Sequence, residues 1–221
     1  MDNRTTAQEL QRGLDELGLV LSDRQKEQLL DYLELLLKWN KAFNLSGVKD
    51  AAEMLSRHLL DSLTLAPFMT GQRILDVGTG PGLPGIPLAI CYPEKDFVLL
   101  DSNGKKTRFV FQAKLQLGLQ NVDVQNQRLE HYNNSEPVDI IVCRAFSSLA
   151  DLVQMTRHLC DDTNRKDPVT IVAMKGVYPA EELAVLPEHI VMVSANKVSV
   201  PGYTGERHII ELKASGFQRI G

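Results

Sequence analysis

Arg73-Ile74-Leu75-Asp76-Val77-Gly78-Thr79-Gly80-Pro81-Gly82-Leu83-Pro84-Gly85-Ile86-Pro87-Leu88-Ala89 is the stretch that decides the architecture. Ile74, Leu75 and Val77 supply a short buried strand. Gly78, Gly80 and Gly82 alternate through a turn, and an apolar run resumes at Ile86, so the segment reads as strand, loop and helix. Pro84 suits a first helical turn, where its missing N–H would be unpaired anyway. Glycine lets the backbone bend through positive φ and approach a ligand closely. The loop is therefore expected to offer backbone N–H groups beside a helix N-terminus to a nucleotide-like ligand or a carboxylate.

Two patterns overlap in the loop. Gly80-Pro81-Gly82-Leu83-Pro84-Gly85 satisfies G-x-G-x-x-G, the dinucleotide fingerprint. Asp76-Val77-Gly78-Thr79-Gly80-Pro81-Gly82 satisfies the acidic-x-G-x-G-x-G pattern of Rossmann-like methyltransferases. On the loop alone both cofactor classes stay open, as does a glycine turn with no ligand.

Downstream, strand and helix patterns alternate, which predicts a parallel sheet. Strands are expected at Arg73–Val77, Phe97–Leu100, Val122–Gln125, Ile140–Cys143 and Val169–Met174, with helices at Lys105–Leu117, around Ser148–Leu159 and from Ala180, and a polar loop at Asp161–Asp167. The end differs in kind: Ile190–Val200, the turn Pro201-Gly202-Tyr203-Thr204-Gly205 and His208–Leu212 read as an antiparallel hairpin. The expected fold is α/β, a Rossmann-like class I methyltransferase layout whose seven-stranded, mostly parallel sheet ends in an antiparallel hairpin.

Upstream, residues 1–70 read as a helical cap, and 71–221 as the sheet domain. Leu10, Leu14 and Leu17 recur at helical spacing before Gly18. Ser22 and Gln25 form a capping-box pattern opening a helix to about Asn40, with Leu29, Leu30, Leu33, Leu36 and Leu37 on its buried side. Residues 40–48 read as a loop, and Asp50 as the cap of a third helix carrying Met54, Leu55, Leu59, Leu60 and Leu63, closed by Pro67.

The chain has 221 residues, is 43% hydrophobic and 24% charged, and carries a net charge of −4. That is an ordinary globular composition and advertises no general polyanion-binding surface. Any nucleic-acid contact must come from a local basic patch. Three cysteines, at 91, 143 and 160, lack metal-ligand spacing and leave an odd count, so no metal site and a reducing compartment are expected. The N-terminus is polar and no run reaches membrane-span length, which points to a cytosolic protein.

Several residues carry candidate chemistry. Asp101 ends the second strand about twenty residues past the glycine loop, where an acid accepts from a ribose diol; the bland alternative is a helix N-cap. Arg128-Leu129-Glu130 follows the third strand, where an adenine would lie, with Glu130 facing the exocyclic amine and the Leu129 backbone the ring edge. Arg144-Ala145-Phe146 follows the fourth strand, at the usual methyl-transfer position, without the Asp/Asn-Pro-Pro-Tyr/Phe of exocyclic-amine methylases. Cys143 suits a buried apolar role better than a nucleophile's. A strand-end arginine such as Arg144 needs a carboxylate, a phosphate or a stacked base. Lys105, Lys106, Arg108, Arg128, Arg144, Lys175, Arg207 and His208 follow strand ends or adjoining loops, a positive rim suited to a phosphate backbone. Asn44 and Arg57-His58 are placed to close over the same crevice, and packing alone is the alternative for His58.

Taken together, Lys38-Trp39-Asn40-Lys41-Ala42-Phe43-Asn44-Leu45, Arg57-His58-Leu59-Leu60-Asp61-Ser62, Leu75 through Ala89, Cys143-Arg144-Ala145-Phe146, Met174-Lys175-Gly176 and Gly205-Glu206-Arg207-His208 resemble the bacterial 16S rRNA guanine-N7 methyltransferases of the glucose-inhibited division protein B (methyltransferase G) family. The resemblance covers nearly the whole chain. It implies S-adenosylmethionine as cofactor, held at Gly78, Leu83, Leu129, Glu130 and Arg144, alongside Gly80 and Asp101 from the loop and strand-end reading. It implies one guanosine of small-subunit rRNA, in the decoding region, as substrate. Asn44, His58, Arg128, Lys175 and Arg207 are the candidates for touching RNA, Arg144 is the candidate positioning residue, and a monomer is expected.

Overall fold

In the computed structural model, which describes residues 3–133, 136–160 and 167–214, β1 (Arg73–Val77) lies at the centre of a seven-stranded sheet. It pairs in parallel with β2 (Asp96–Leu100) and β4 (Ile140–Arg144). β3 (Val122–Gln125) extends one side and β5 (Thr170–Lys175) the other, again in parallel. β7 (His208–Ala214) then runs antiparallel to β5, and β6 (Ile190–Lys197) antiparallel to β7. The order is β3-β2-β1-β4-β5-β7-β6. The chain winds outward from β1 to β3, then crosses back to β4 on the other side of β1. The carboxyl ends of these strands therefore share one crevice at a topological switch point, the usual ligand position in such sheets.

The strand pattern is realised to within a residue at most ends. β7 runs two residues beyond the expected Leu212, to Ala214, and β6 stops at Lys197 and not at Val200; Val200 leaves the ladder and turns into the core. The expected polar loop at 161–167 lies outside the described residues except for its last position.

α1 (Asn3–Glu16) ends just before Gly18, which takes a left-handed φ of 68°. α2 (Asp23–Phe43) opens on a complete capping box: the Ser22 hydroxyl accepts from the Gln25 N–H, and the Gln25 side chain accepts from the Ser22 N–H. The helix runs past Asn40 to Phe43, with Asn44 as a left-handed C-cap. Asn40 is no loop residue: it faces inward, where its amide donates to the Val48 carbonyl and accepts from the Ser46 N–H. The buried stripe is Leu29, Tyr32, Leu33, Leu36 and Asn40. Leu30 and Leu37, expected in it, are only half-buried, because a stripe at this spacing leaves them on its flank.

α3 (Ala51–Met54), a π-helical turn (Leu55–Leu60) and α4 (Asp61–Leu63) run on as one helix, N-capped by Asp50 through the Ala52 and Glu53 N–H groups. A 3-10 turn at Ala66–Phe68, carrying Pro67, follows.

Alternating strand residues feed two cores. Ile74, Leu99, Val142 and Val172 pack under α5 (Gly85–Cys91), α6 (Gly104–Leu117) and the N-terminal helices in one continuous cluster. Leu75, Val77, Ile141, Ile171 and Leu212 pack on the other face under α7 (Leu149–Cys160). α8 (Ala180–Ala184) lies at the surface. α2 ties the first layer together. Its Gln25 amide donates to the Ile90 and Cys91 carbonyls and its Gln28 amide to Leu117, covering carbonyls that the ends of α5 and α6 leave open.

Candidate functional site

The glycine loop is closed on itself. Gly78 and Thr79 both donate their N–H to the Leu100 carbonyl, at 2.9 and 3.0 Å, while Gly82 and Leu83 donate to Thr79. Gly80 donates to the Asp101 carboxylate at 2.9 Å and Gly85 to the Asp76 carboxylate at 2.8 Å. Pro81 and Pro84 have no N–H. Every backbone donor from 78 to 85 thus has a protein partner, so the expectation of N–H groups presented to a ligand fails. A pyrophosphate-binding loop needs such donors free at a helix N-terminus; this loop does not supply them, which removes the dinucleotide reading.

The loop offers shape and carboxylates. Gly78 has φ 68° and only open space where a Cβ would stand, so it keeps the crevice floor bare. Gly85 sits so close to β2 that a Cβ would overlap Leu99 and lie 2.7 Å from Asp76 Oδ2. The Tyr32 hydroxyl reaches down from α2 to the Pro81 carbonyl at 2.9 Å and pins the outer turn. Asp76 is fully buried. One of its oxygens accepts from Thr79 Oγ1 and Gly85 N–H, and the other, Oδ1, has no partner. Burial pushes its carboxyl up to about 7 despite those two bonds.

Beside the loop is a cleft of about 190 Å³ lined by Val77, Gly78, Asp101, Arg128, Leu129, Glu130 and Phe146 among others. The strand-end acid, the 3-10 turn after β3 (Leu129–His131) and the residue after the β4 corner therefore converge on it, as their positions in the sequence imply. It is smaller than a closed ligand pocket and open on one side. Asp101 is not the cap of α6; Asn103 is, accepting from the Lys105 and Lys106 N–H groups. Asp101 spans the Gly80 and Asn103 N–H groups and stays half-exposed at the rim. A larger cavity, about 670 Å³, lies among Leu30, Leu37, Lys41, Lys49 and Asp50, but no strand-end residue lines it.

Arg144 does not line the cleft. After it Ala145 takes a left-handed turn (φ 59°), so Phe146 faces the cleft while the Arg144 guanidinium meets the helix at 51–63. There Nη1 donates to the Arg57 carbonyl at 3.2 Å and stands 3.5 Å from Asp61 Oδ2. Asp61, 1% exposed, also takes Arg207 Nε on Oδ1 at 2.6 Å. One buried carboxylate thus joins the cap, the β4 corner and the hairpin.

A family model described as GidB, rRNA small subunit methyltransferase G, matches residues 25–210. The chain is 53% identical to the Ribosomal RNA small subunit methyltransferase G of Pseudomonas syringae pv. tomato, covering 94% of this chain and 96% of that one. It is 48% identical to the protein of the same name from a Marinomonas species, over 94% and 97% of the two chains. The chain belongs to the GidB family. Among solved structures it is similar in fold to an O-methyltransferase from Bacillus cereus in complex with SAH, at a TM-score of 0.58 and 18% identity over 83% of this chain and 90% of that one. The O-methyltransferase TomG from Streptomyces achromogenes, in complex with SAM, matches at a TM-score of 0.57 and 15% identity, over 90% and 92%.

Within this GidB chain the candidate RNA-facing residues scatter in role. Arg128 is exposed at the cleft, and Arg207 is held on Asp61. Lys175 is paired with Glu182 at 2.7 Å, and Glu182 also caps the Leu149 N–H at the start of α7. Asn44 is exposed as the C-cap of α2. His58 is buried: Nδ1 faces the Arg57 carbonyl, which can only accept, so Nε2 accepts from Ser46 Oγ at 2.5 Å. Burial and the Arg144 charge lower its pKa to about 4 and keep it neutral. Cys143 is buried, and its thiol is pushed up to about 12, which leaves no thiolate for attack.

Tyr32 escaped the sequence reading, and Asp61, although part of the run Arg57–Ser62 that carries the resemblance, was given no role there. Asp61 does leave a trace there: it is a lone carboxylate in the run Leu59-Leu60-Asp61-Ser62-Leu63, and a charge on a buried stripe requires a cationic partner.

Proposed function

We infer that this protein is an S-adenosylmethionine-dependent methyltransferase that methylates N7 of a guanosine in small-subunit (16S) rRNA. The match to the rRNA small subunit methyltransferase G family over residues 25–210 carries the reading. The cofactor supplies an electrophilic sulfonium methyl group.

The residues present fit that cofactor. Asp101, half-exposed at the end of β2, is available to a ribose diol while it braces Gly80. The bare floor at Gly78 shapes the cradle, while Leu83 packs in the core and does not line the cleft. Leu129 and Glu130 stand where an adenine edge would be read. Arg144 lies outside the cleft, so its role is to position substrate at the methyl-transfer corner.

Guanine N7 carries no proton and has an available lone pair, so the protein needs no general base. Its work is alignment and exclusion of water, where orientation contributes on the order of 7–11 kcal/mol. The guanine ring gains positive charge on methylation, so carboxylates and carbonyls near it help more than cations. The arginines then serve the RNA phosphates. N7 faces the deep major groove of A-form RNA, so the target must be presented in an irregular loop.

Residues 1–70 roof the crevice through Tyr32 and the helix at 51–63. No helix among the described residues is long and apolar enough to cross a membrane, and action on rRNA places the protein in the cytoplasm. A monomer supplies every residue named.

The test is incubation of the protein with labelled S-adenosylmethionine and small subunits, or deproteinised rRNA, from a strain lacking the gene, followed by nucleoside mass spectrometry. The expected product is 7-methylguanosine, with the two substrate forms differing greatly. Label in another nucleoside, or none in either form, overturns the reading.

A further inference from the structure

We propose that Asp61 is a positioning residue for methyl transfer, its single buried carboxylate setting the directions of both the Arg144 and the Arg207 guanidiniums. The proposal rests on the rRNA-methyltransferase reading above.

Asp61 is the first residue of α4, just after the π-helical turn. Such turns recur at functional sites. The same stretch of helix provides both acceptors that hold Arg144, the Arg57 carbonyl at 3.2 Å and Asp61 Oδ2 at 3.5 Å. Arg207 comes from just before β7, 146 residues away in sequence, and gives Nε to Asp61 Oδ1 at 2.6 Å. Its guanidinium also lies over the Tyr203 ring at 5.4 Å, and that of Arg57 over the same ring at 5.9 Å.

The free end of Arg207 separates this cluster from a closed ion pair. A carboxylate withdrawn from water needs good geometry and hydrogen bonds on its remaining lone pairs to offset its desolvation. Here two arginines take one oxygen each, Arg207 at 2.6 Å and Arg144 at 3.5 Å. Arg207 uses Nε on Asp61; among the described residues its terminal nitrogens meet no acceptor, which leaves that end of the planar fork for a ligand. Guanidinium N–H donors in a planar fork suit a phosphate oxygen pair. Asp61 thereby fixes one arginine at the methyl-transfer corner and aims the other at the RNA backbone. Loss of its charge frees both guanidiniums to rotate.

The test is a double-mutant cycle of Asp61→Asn with Arg207→Gln. It is assayed as kcat and KM for methylation of undermethylated small subunits, with melting temperature and S-adenosylmethionine affinity measured on the same preparations. Asp61→Asn is expected to lower kcat/KM about 100-fold, as a small misplacement of a positioning group does, with a much smaller change in cofactor affinity. In the Arg207→Gln background the same change costs far less, because the two residues act as one unit. A folded Asp61→Asn protein of wild-type kcat/KM, or losses that add in full, overturns the proposal; a merely structural role gives the additive result with a fall in melting temperature. If Asp61→Asn does not fold, Asp61→Glu keeps the charge but displaces the carboxylate, and the cycle is read with it. Failure of the wild-type protein to methylate in the same assay is a separate outcome that overturns the functional reading and this proposal with it.

Discussion

The glycine loop and the arginine corner are neighbours, near enough for the Arg144 charge to act on Asp76 and on Tyr32, and they are built in opposite ways. In the loop every backbone donor from 78 to 85 is already bonded, and the polar group left at the cleft is the half-exposed Asp101 carboxylate. At the corner the acceptor Asp61 is fully engaged, and the surplus is guanidinium donors. The first suits a ligand that brings donors and a cation, as a ribose diol, an ammonium and a sulfonium do; the second suits an anion. A shared glycine pattern says nothing of this polarity. The bonds that occupy its N–H groups do.

The sharpest way to break the contrast is Arg144→Ala. It removes the donor at the corner and leaves the loop intact, so turnover on rRNA should fall by about 100-fold or more while calorimetric affinity for S-adenosylmethionine changes little. Wild-type turnover would remove Arg144 from the mechanism. Gly85→Ala attacks the loop. Its Cβ has no room beside Leu99 and Asp76, and overpacking of this kind costs about 1–3 kcal/mol, visible as a lower melting temperature together with weakened cofactor binding.

Titration addresses the two regions without changing their packing, and the Arg144 charge lowers the pKa of both groups concerned. Asp76, raised from 3.8 to about 7, binds more protons folded than unfolded across that window. Its contribution to stability therefore falls as pH rises through the window. His58 beside the corner, lowered from 6.5 to about 4, binds fewer, so its contribution is lost as pH falls from 6.5 towards 4. Denaturant midpoints followed across both windows should show Asp76→Asn removing the decline towards neutral pH and His58→Gln removing the loss towards acid. Unchanged slopes in either variant would contradict the assignment. The smallest effect belongs to Tyr32→Phe, which deletes the bond from α2 to the Pro81 carbonyl; a loss of about 1 kcal/mol in stability is expected.

Much of the fold was legible because its signals are local. The alternating strands, the capping box at Ser22 and the cap at Asp50 each depend on residues within a few positions of one another. Asn40 was misread as the start of a loop because its side chain answers to Ser46 and Val48 beyond the helix end. Leu30 and Leu37 are as apolar as their neighbours, and only their angular position on α2 separates them from the core. In the site, Asp101, Leu129 and Glu130 were placed by their spacing from strand ends. The occupied N–H groups could not be read from the loop itself, since Leu100 and Asp101 belong to another strand end. Asp61 binds arginines 83 and 146 positions away, a meeting that only the sheet order brings about.

The most direct test of the polarity claimed for the loop is a titration of the purified protein by calorimetry with S-adenosylmethionine, S-adenosylhomocysteine and NADH in turn. Saturable one-site binding of the first two, abolished by Asp101→Ala and not competed by NADH, is the predicted result. Binding of NADH at that site, or no binding of either adenosyl ligand, would contradict the account.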